Sequence, residues 1–298
     1  MDLTPRNIIA FIFSIYIIAS GKLKKSIKKA LKGDYILSIY FHNPTKKEFE
    51  SIVKWLRKRG FHFISLSDLN KIATKEAPFP KGAVLITVDD GWRTNKTNIV
   101  EVANDYQIPI TIFVSTEPAE EGAYWWSYAR EAIKRGLQLP SVAELKKLPN
   151  DKRLDTIDNI KKKITLEREA LTPLEVKEIS LSNFITIGGH THTHPILVNC
   201  SNECVNRELN LSKDKLASWT GKEVEFFAYP NGDFSLREIE ILKKLDYKLG
   251  FANNAQYLTI EILDNNLYAI PRFGFLEGAS FAENICRVVG VWKRRNKP

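Results

Sequence analysis

Apolar positions along the chain switch between two periods. Ala83-Val-Leu-Ile-Thr-Val88 and Ile110-Thr-Ile-Phe-Val114 are almost continuously apolar, as expected of parallel strands covered on both faces. Residues 46–59 instead bring Phe49, Ile52, Val53, Trp55 and Leu56 back at helical spacing. The same alternation predicts strands at 35–41, 61–65, 184–187, 225–229, 248–251 and 267–272, and helices at 67–73, 95–105, 202–219, 235–245 and from 280 onward. A charged helical insertion occupies about residues 127–179. Strand and helix in alternation imply a parallel sheet with helices outside it, and seven or eight strand candidates favour closure into a barrel. Reactive side chains of such a barrel gather at the C-terminal ends of its strands. His42, Asp89-Asp90, His190 with His194, Tyr229-Pro230-Asn231 and Arg272 all fall there.

The N-terminus reads differently. Residues 8–20 are apolar for about a dozen positions, short of the ~20 that span a bilayer as a helix. Helical spacing continues through Ala19, Leu23, Ile27 and Leu31, with Lys22, Lys24, Lys25, Lys28, Lys29 and Lys32 on the other side. This predicts an amphipathic helix, either lying at a membrane surface or packed on its own domain, with an uncleaved anchor as a third reading. A signal peptide fits poorly, because Asp2 offsets Arg6 and the basic cluster follows the apolar run. Two parts are therefore expected: a basic helical segment, 1–33, and a barrel domain, 34–298.

Composition narrows the classes. The 298 residues are 44% hydrophobic, enough for a large core, and the net charge is +9. The excess lies at the ends, in 22–32 and in Lys293-Arg-Arg-Asn-Lys297. Basic ends favour anionic surfaces; with no nucleic-acid-binding module in the sequence, membrane is the expected partner rather than nucleic acid. The odd cysteine count of 3 suits a reducing compartment, so the expected location is cytoplasmic with membrane association, an envelope-facing location being the alternative. Cys200 and Cys204 lack a second pair to complete a structural zinc site.

Candidate chemistry concentrates in two motifs. Three of the 5 histidines stand in Gly188-Gly-His-Thr-His-Thr-His194. On one helical turn His190 and His194 share a face and chelate one ion, while His192 lies about 200° away. Asp89 and Asp90 end an apolar strand, where burial and mutual repulsion call for a cation or a proton partner. One of the two completes a site of two histidines and one carboxylate, which leaves coordination positions open as a catalytic site does. The other can serve as a base.

These residues resemble the polysaccharide deacetylases, the NodB-homology carbohydrate esterases, whose first two motifs read roughly T-F-D-D-G and H-[S/T]-x-x-H. Thr87-Val-Asp-Asp-Gly91 and His190-Thr-His-Thr-His194 carry the likeness, supported by 106–114, Tyr124-Trp-Trp126, Phe227-Ala-Tyr-Pro-Asn-Gly232 and Ile270-Pro-Arg272. The resemblance implies a distorted (β/α) barrel of about seven strands and metal-dependent removal of N-acetyl groups from an amino-sugar glycan. It makes Asp89 the general base and Asp90, His190 and His194 the ligands of zinc or another divalent ion (Co2+, Ni2+ or Mn2+). It assigns the oxyanion to a backbone N–H at Asn231, beside Tyr229 and Pro230. The third motif normally supplies an arginine, absent from Ala228-Tyr-Pro-Asn231, and no histidine follows His194. Arg272 and His42 are the expected replacements for the missing arginine and the missing acid. Trp125 and Trp126 offer faces for sugar rings, with core packing expected for at least one of them.

The expected substrate is an acetylated glycan, or a lipid- or nucleotide-linked sugar, in cell-envelope polysaccharide synthesis. Two other readings keep the site. One changes the scissile bond to an ester or another acylamide; the other is a metal-containing glycan- or lipid-binding protein without catalysis.

Overall fold

The computed structural model describes residues 4–292, so the Lys293–Lys297 basic tail and Asp2 lie outside the described residues. Eight strands are found among them: β1 Leu37–Phe41, β2 His62–Ile64, β3 Ala83–Val88, β4 Ile110–Val114, β5 Ile185–Gly189, β6 Phe226–Ala228, β7 Leu249–Phe251 and β8 Phe273–Gly274. Every pairing between them is parallel, in the order β7-β6-β5-β4-β3-β1-β8. β2 pairs with Ala83–Leu85 of β3 and β4 with Thr87 and Val88, while β1 runs along the whole of β3. β2 and β4 therefore share one flank of β3, one after the other, and the barrel is distorted at that point.

The ring closes through residues 270–274. Ile270 bridges Phe251 of β7, and Phe273 pairs with Ile39 of β1. The strand expected at 267–272 is thus reduced to one bridge and the short β8. Pro271 explains the interruption, since it offers no N–H to a ladder.

Helices cover the outside in chain order: α1 Pro5–Ala19, α2 Lys22–Lys32, α3 Lys46–Lys58, α4 Leu66–Ala73, α5 Glu101–Tyr106, α6 Thr116–Glu121, α7 Trp125–Lys134, α8 Val142–Leu145, α9 Asn150–Lys161, α10 Pro173–Ser180, α11 Asn202–Thr220, α12 Leu236–Lys244, α13 Ile260–Asn265 and α14 Phe281–Val288. A π-helical turn, Lys96–Val100, precedes α5. The N-terminal segment is two helices rather than one. It bends by 62° at Ser20-Gly21, where Gly21 adopts φ +75°.

Alternation along the strands decides what faces the barrel interior. Leu37, Ile39 and Phe41 of β1, with Val84, Ile86 and Val88 of β3, pack outward on Phe49, Ile52, Val53 and Leu56 of α3. The intervening positions point inward, because successive strand side chains take opposite faces. Leu85 and Thr87 are therefore interior, and Asp89, next in the same phase, emerges at the mouth. Phe113, Phe226, Leu249, Phe251 and Ile270 belong with Leu85 to the inner cluster.

Candidate active site

The β3 strand ends in two carboxylates that point to different partners. Asp90 has φ +77° and Gly91 φ +83°, a left-handed turn that is strained for the aspartate and easy for the glycine. The turn leaves Asp89 in the phase of the barrel interior and swings Asp90 toward β5. Both are buried, 1% and 6% exposed. Oδ1 of Asp90 lies 3.4 Å from Nε2 of His190 and 3.3 Å from Nε2 of His194. Oδ2 accepts a hydrogen bond from Nε1 of Trp92 at 2.9 Å. Burial alone would raise the Asp90 carboxyl, but the facing imidazoles of His190 and His194 override it and hold it well below the usual range.

The histidines do not share a helical turn. Residues 190–196 form an irregular loop, with Thr191 at φ +65° and His194 at φ +51°. Gly188 lets β5 lie close to its neighbours: a Cβ there would sit 2.5 Å from the Phe113 ring and 2.9 Å from the Phe226 carbonyl oxygen. Ser115 donates to the His190 carbonyl, and the amides of Thr116 and Glu117 donate to those of Thr191 and His192. Glu208, fully buried on α11, accepts from the amides of His192 and Thr193 and from the Thr193 hydroxyl at 2.7–2.9 Å. The loop is therefore held by backbone and carboxylate bonds where a helix would have used its own. His192 turns away from Asp90, its Nδ1 2.8 Å from the Thr116 hydroxyl.

The two inward histidines are prepared as ligands. Nδ1 of His190 lies 2.7 Å from the Ala228 carbonyl oxygen, which can only accept, so the ring proton sits on Nδ1 and Nε2 faces Asp90. Nε2 is thus the atom through which the ring would meet a cation held between it and Asp90. Burial lowers His194 to about 4, so its ring is neutral near pH 7. Its Nδ1 is buried with no partner among the described residues, and the edge of Trp126 fixes the ring at 4.6 Å between centroids. Among the described residues, Asp90, His190 and His194 are the group whose ligand atoms lie within 4.8 Å of one another. Imidazole nitrogens beside a carboxylate are the donors a divalent transition ion takes. No such group forms at Cys200 and Cys204, which are free thiols.

Arg272 lies across the barrel interior from the histidines' strand. It arrives on the segment that closes the ring and is fully buried. Nη1 and Nη2 donate to Oδ1 and Oδ2 of Asp89 at 2.7 and 2.8 Å. Its other N–H groups meet the Thr87 hydroxyl, the Asn253 side-chain oxygen and the Ala252 carbonyl at 2.9, 2.7 and 3.2 Å. All five guanidinium donors are thus spent, with the Tyr40 ring 4.7 Å from the guanidinium carbon.

A cleft of about 600 Å³ opens over these groups, lined by Asp89, Asp90, His190 and His194 together with His42, Trp92, Trp126, Asn231 and others. His42 stands on the rim, its side chain 39% exposed and Nδ1 4.0 Å from Glu277. Glu277 also accepts from the amides of His42 and Asn43 and so fixes that rim. Asn231, at φ +60°, reaches the cleft and takes a hydrogen bond from Lys146 at 3.0 Å. Tyr229 and Pro230 do not line it: both are buried, and the Tyr229 hydroxyl donates to the Tyr268 carbonyl. Trp125 is also removed from sugar contact. It is 3% exposed, and its Nε1 donates to the His194 carbonyl at 3.1 Å. Trp126 is the one of the pair that walls the cleft, stacked on Tyr124 at 4.6 Å, with Trp92 4.4 Å beyond.

Trp92, Glu208, Glu277 and Lys146 are among the residues of this site that were not anticipated. Trp92 follows the Asp-Asp-Gly turn directly, so its place beside Asp90 was open to reading. The other three come from distant segments and carry no sequence mark.

The chain is 25% identical over 253 residues to the poly-beta-1,6-N-acetyl-D-glucosamine N-deacetylase of Staphylococcus aureus (strain MSSA476), covering 78% of this chain and 71% of that protein. Its fold is similar to that of the Streptococcus pyogenes deacetylase PplD solved in complex with acetate, with TM-score 0.61, 18% identity and coverage of 85% of this chain and 97% of that one. It is equally similar to IcaB from Ammonifex degensii, with TM-score 0.61, 16% identity and coverage of 87% and 98%. The profile described as polysaccharide deacetylase matches residues 76–250, more than half of the 298 residues, from the strand before Asp89 to β7. The chain belongs to the polysaccharide deacetylase family and is a hydrolase of the N-deacetylase type.

Proposed function

We propose that the protein hydrolyses the acetamido groups of an N-acetylated amino-sugar polymer of the cell envelope, with Asp90, His190 and His194 holding a divalent cation, zinc being the simplest choice. The observation that carries this reading is the division of two adjacent carboxylates in one cleft. Asp90 faces two imidazoles, and Asp89 is gripped by Arg272. A cation bound there supplies a Lewis acid that acidifies water and polarises an acyl oxygen.

The remaining work falls to side chains of the protein. The guanidinium fork fixes the plane of Asp89 and uses one lone pair on each oxygen. Lone pairs facing the cleft remain free to accept a proton from the attacking water. Cleavage of an amide also requires a proton on the departing nitrogen, and we assign it to His42, which follows β1 beside the strand of Asp89 and lines the same cleft. Trp126 and Trp92 present an apolar wall for a sugar ring. Asn231 lines the cleft, and we assign its backbone N–H to the acyl oxygen.

The Staphylococcus aureus relative is named for poly-beta-1,6-N-acetyl-D-glucosamine, and we take a polymer of that kind as the substrate class. The test is acetate release from β-1,6-linked N-acetylglucosamine oligomers by the zinc-loaded protein. Release that stops with a chelator and with Asp89→Asn supports the reading. Metal uptake without release from any N-acetylated oligomer would leave a glycan-binding protein instead.

A further inference from the structure

α1 exposes apolar side chains to an unusual degree. Ile8, Ile9, Phe11, Ile12, Phe13, Ile15 and Tyr16 are 41–68% exposed. At about 100° per residue they cover an arc of roughly 200°. The narrow buried strip is Ala10, Ser14 and Ile17, which lies on α14. The helix is anchored there: Arg6 pairs with Glu283 at 2.5 Å, and Phe13 meets Trp292 edge-on at 5.2 Å. α1 is therefore a fixed part of the barrel's side, with its outward face uncovered.

Beyond the 62° bend, α2 is docked by Leu23, Ser26 and Ala30, and Ser26 bonds Tyr35 and the Val289 carbonyl. Its other face carries Lys22, Lys24, Lys25, Lys28, Lys29 and Lys32, all exposed. Among the described residues none of these lysines has a carboxylate partner, and Lys22 instead lies 5.9 Å from the Tyr16 ring. An apolar face flanked by unneutralised ammonium groups matches one surface on both counts.

We propose that the outer face of α1 and the lysines of α2 form a docking surface for an anionic phospholipid bilayer. No single described helix is long and apolar enough to cross a membrane. The 15 residues of α1 extend about 22 Å, against a hydrocarbon core of about 30 Å, so the helix lies in the interface with its apolar arc among the acyl chains. A second copy of the chain complements this surface less well, because pairing two α1 faces would leave the lysines of α2 without an opposite charge. Arg6 is held by Glu283 at the start of α14, and Glu277, six residues earlier, stands on the cleft rim. The start of α1 therefore lies on the flank of the barrel that leads to the Glu277 rim.

Co-sedimentation of the purified full chain tests this. Vesicles of phosphatidylcholine alone are compared with vesicles containing phosphatidylglycerol, for the parent, Ile9→Glu/Ile12→Glu and Lys25→Glu/Lys28→Glu. The substituted positions are exposed, so thermal melts should match the parent and activity on soluble oligomers should be unchanged. Partitioning onto phosphatidylglycerol vesicles should fall about tenfold or more in each variant, and the parent's binding should weaken with salt. Absence of parent binding to phosphatidylglycerol vesicles, or binding that both variants retain, overturns the proposal. So does a parent dimer that Ile9→Glu/Ile12→Glu converts to monomer without any vesicle binding.

Discussion

Arg272 holds both carboxylate oxygens of Asp89, although 183 positions separate the two residues. Both side chains are almost wholly buried at the floor of the cleft, so each charge depends largely on the other for solvation. Arg272→Ala leaves a buried carboxylate without its partner and should destabilise the fold by about 3–5 kcal/mol. Arg272→Lys keeps the charge but not the fork, and should lower kcat/KM on N-acetylated oligomers by about 100-fold with a smaller loss of stability. Thermal melts together with acetate-release kinetics check both. Activity of Arg272→Lys equal to the parent would mean that the plane of Asp89 need not be fixed.

Asp90 divides its oxygens between two imidazoles and Trp92, which separates ligands from support. A divalent ion at 100 times its Kd should stabilise the protein by about 2.7 kcal/mol, seen as a rise in Tm. Asp90→Asn or His194→Gln should remove that rise. Trp92→Phe loses only the bond that orients the carboxylate, so zinc affinity by calorimetry should fall about 10- to 100-fold without vanishing. An unchanged affinity would reduce Trp92 to a wall of the cleft.

The motifs were readable because each rests on short-range geometry. Period-two alternation puts Asp89 in phase with Thr87 and Leu85, and Gly91 marks the turn that gives Asp90 a different direction. Arg272 was readable as a strand end. Its meeting with Asp89 depends on ring closure, which appears only when Ile270 bridges β7 and Phe273 pairs with β1. The histidine loop was misread for a local reason. Spacing of four fits a helical turn, but the helix-like hydrogen bonds are replaced by a carboxylate from α11, 16 residues beyond His192. No periodicity of the loop itself announces Glu208. The N-terminal break went unseen because the spacing of apolar residues carries through Gly21, while the two helices bury different neighbours.

Acid should loosen the metal-free protein before its carboxylates titrate. Burial lowers both His192 and His194 from 6.5 to about 4. Between those values the unfolded chain binds more protons than the folded one, so stability is level above about pH 6.5 and declines as pH falls toward 4. Tm of the metal-free protein should be lower at pH 5 than at pH 7.5. Because His192 carries no ligand role, His192→Gln isolates its share and should flatten the decline. A parent and variant with the same pH dependence would show that burial of this imidazole is not felt.

His42 offers the sharpest test of how the cleft divides proton transfer. It lies on the rim near Glu277 and does not touch Asp90, so its removal should leave zinc affinity intact. If it protonates the departing amine, His42→Ala should lower kcat on N-acetylated oligomers by about 100-fold or more, with KM little changed. An aryl acetate has a leaving group that needs no proton, so its hydrolysis at the same site should be nearly insensitive to the substitution. Asp89→Asn, by contrast, should slow both substrates, because each requires an activated water. Equal losses on amide and aryl ester in His42→Ala would make His42 a binding or rim-positioning residue, and the proton for the amine would then have to come from Asp89 once it has taken one from water.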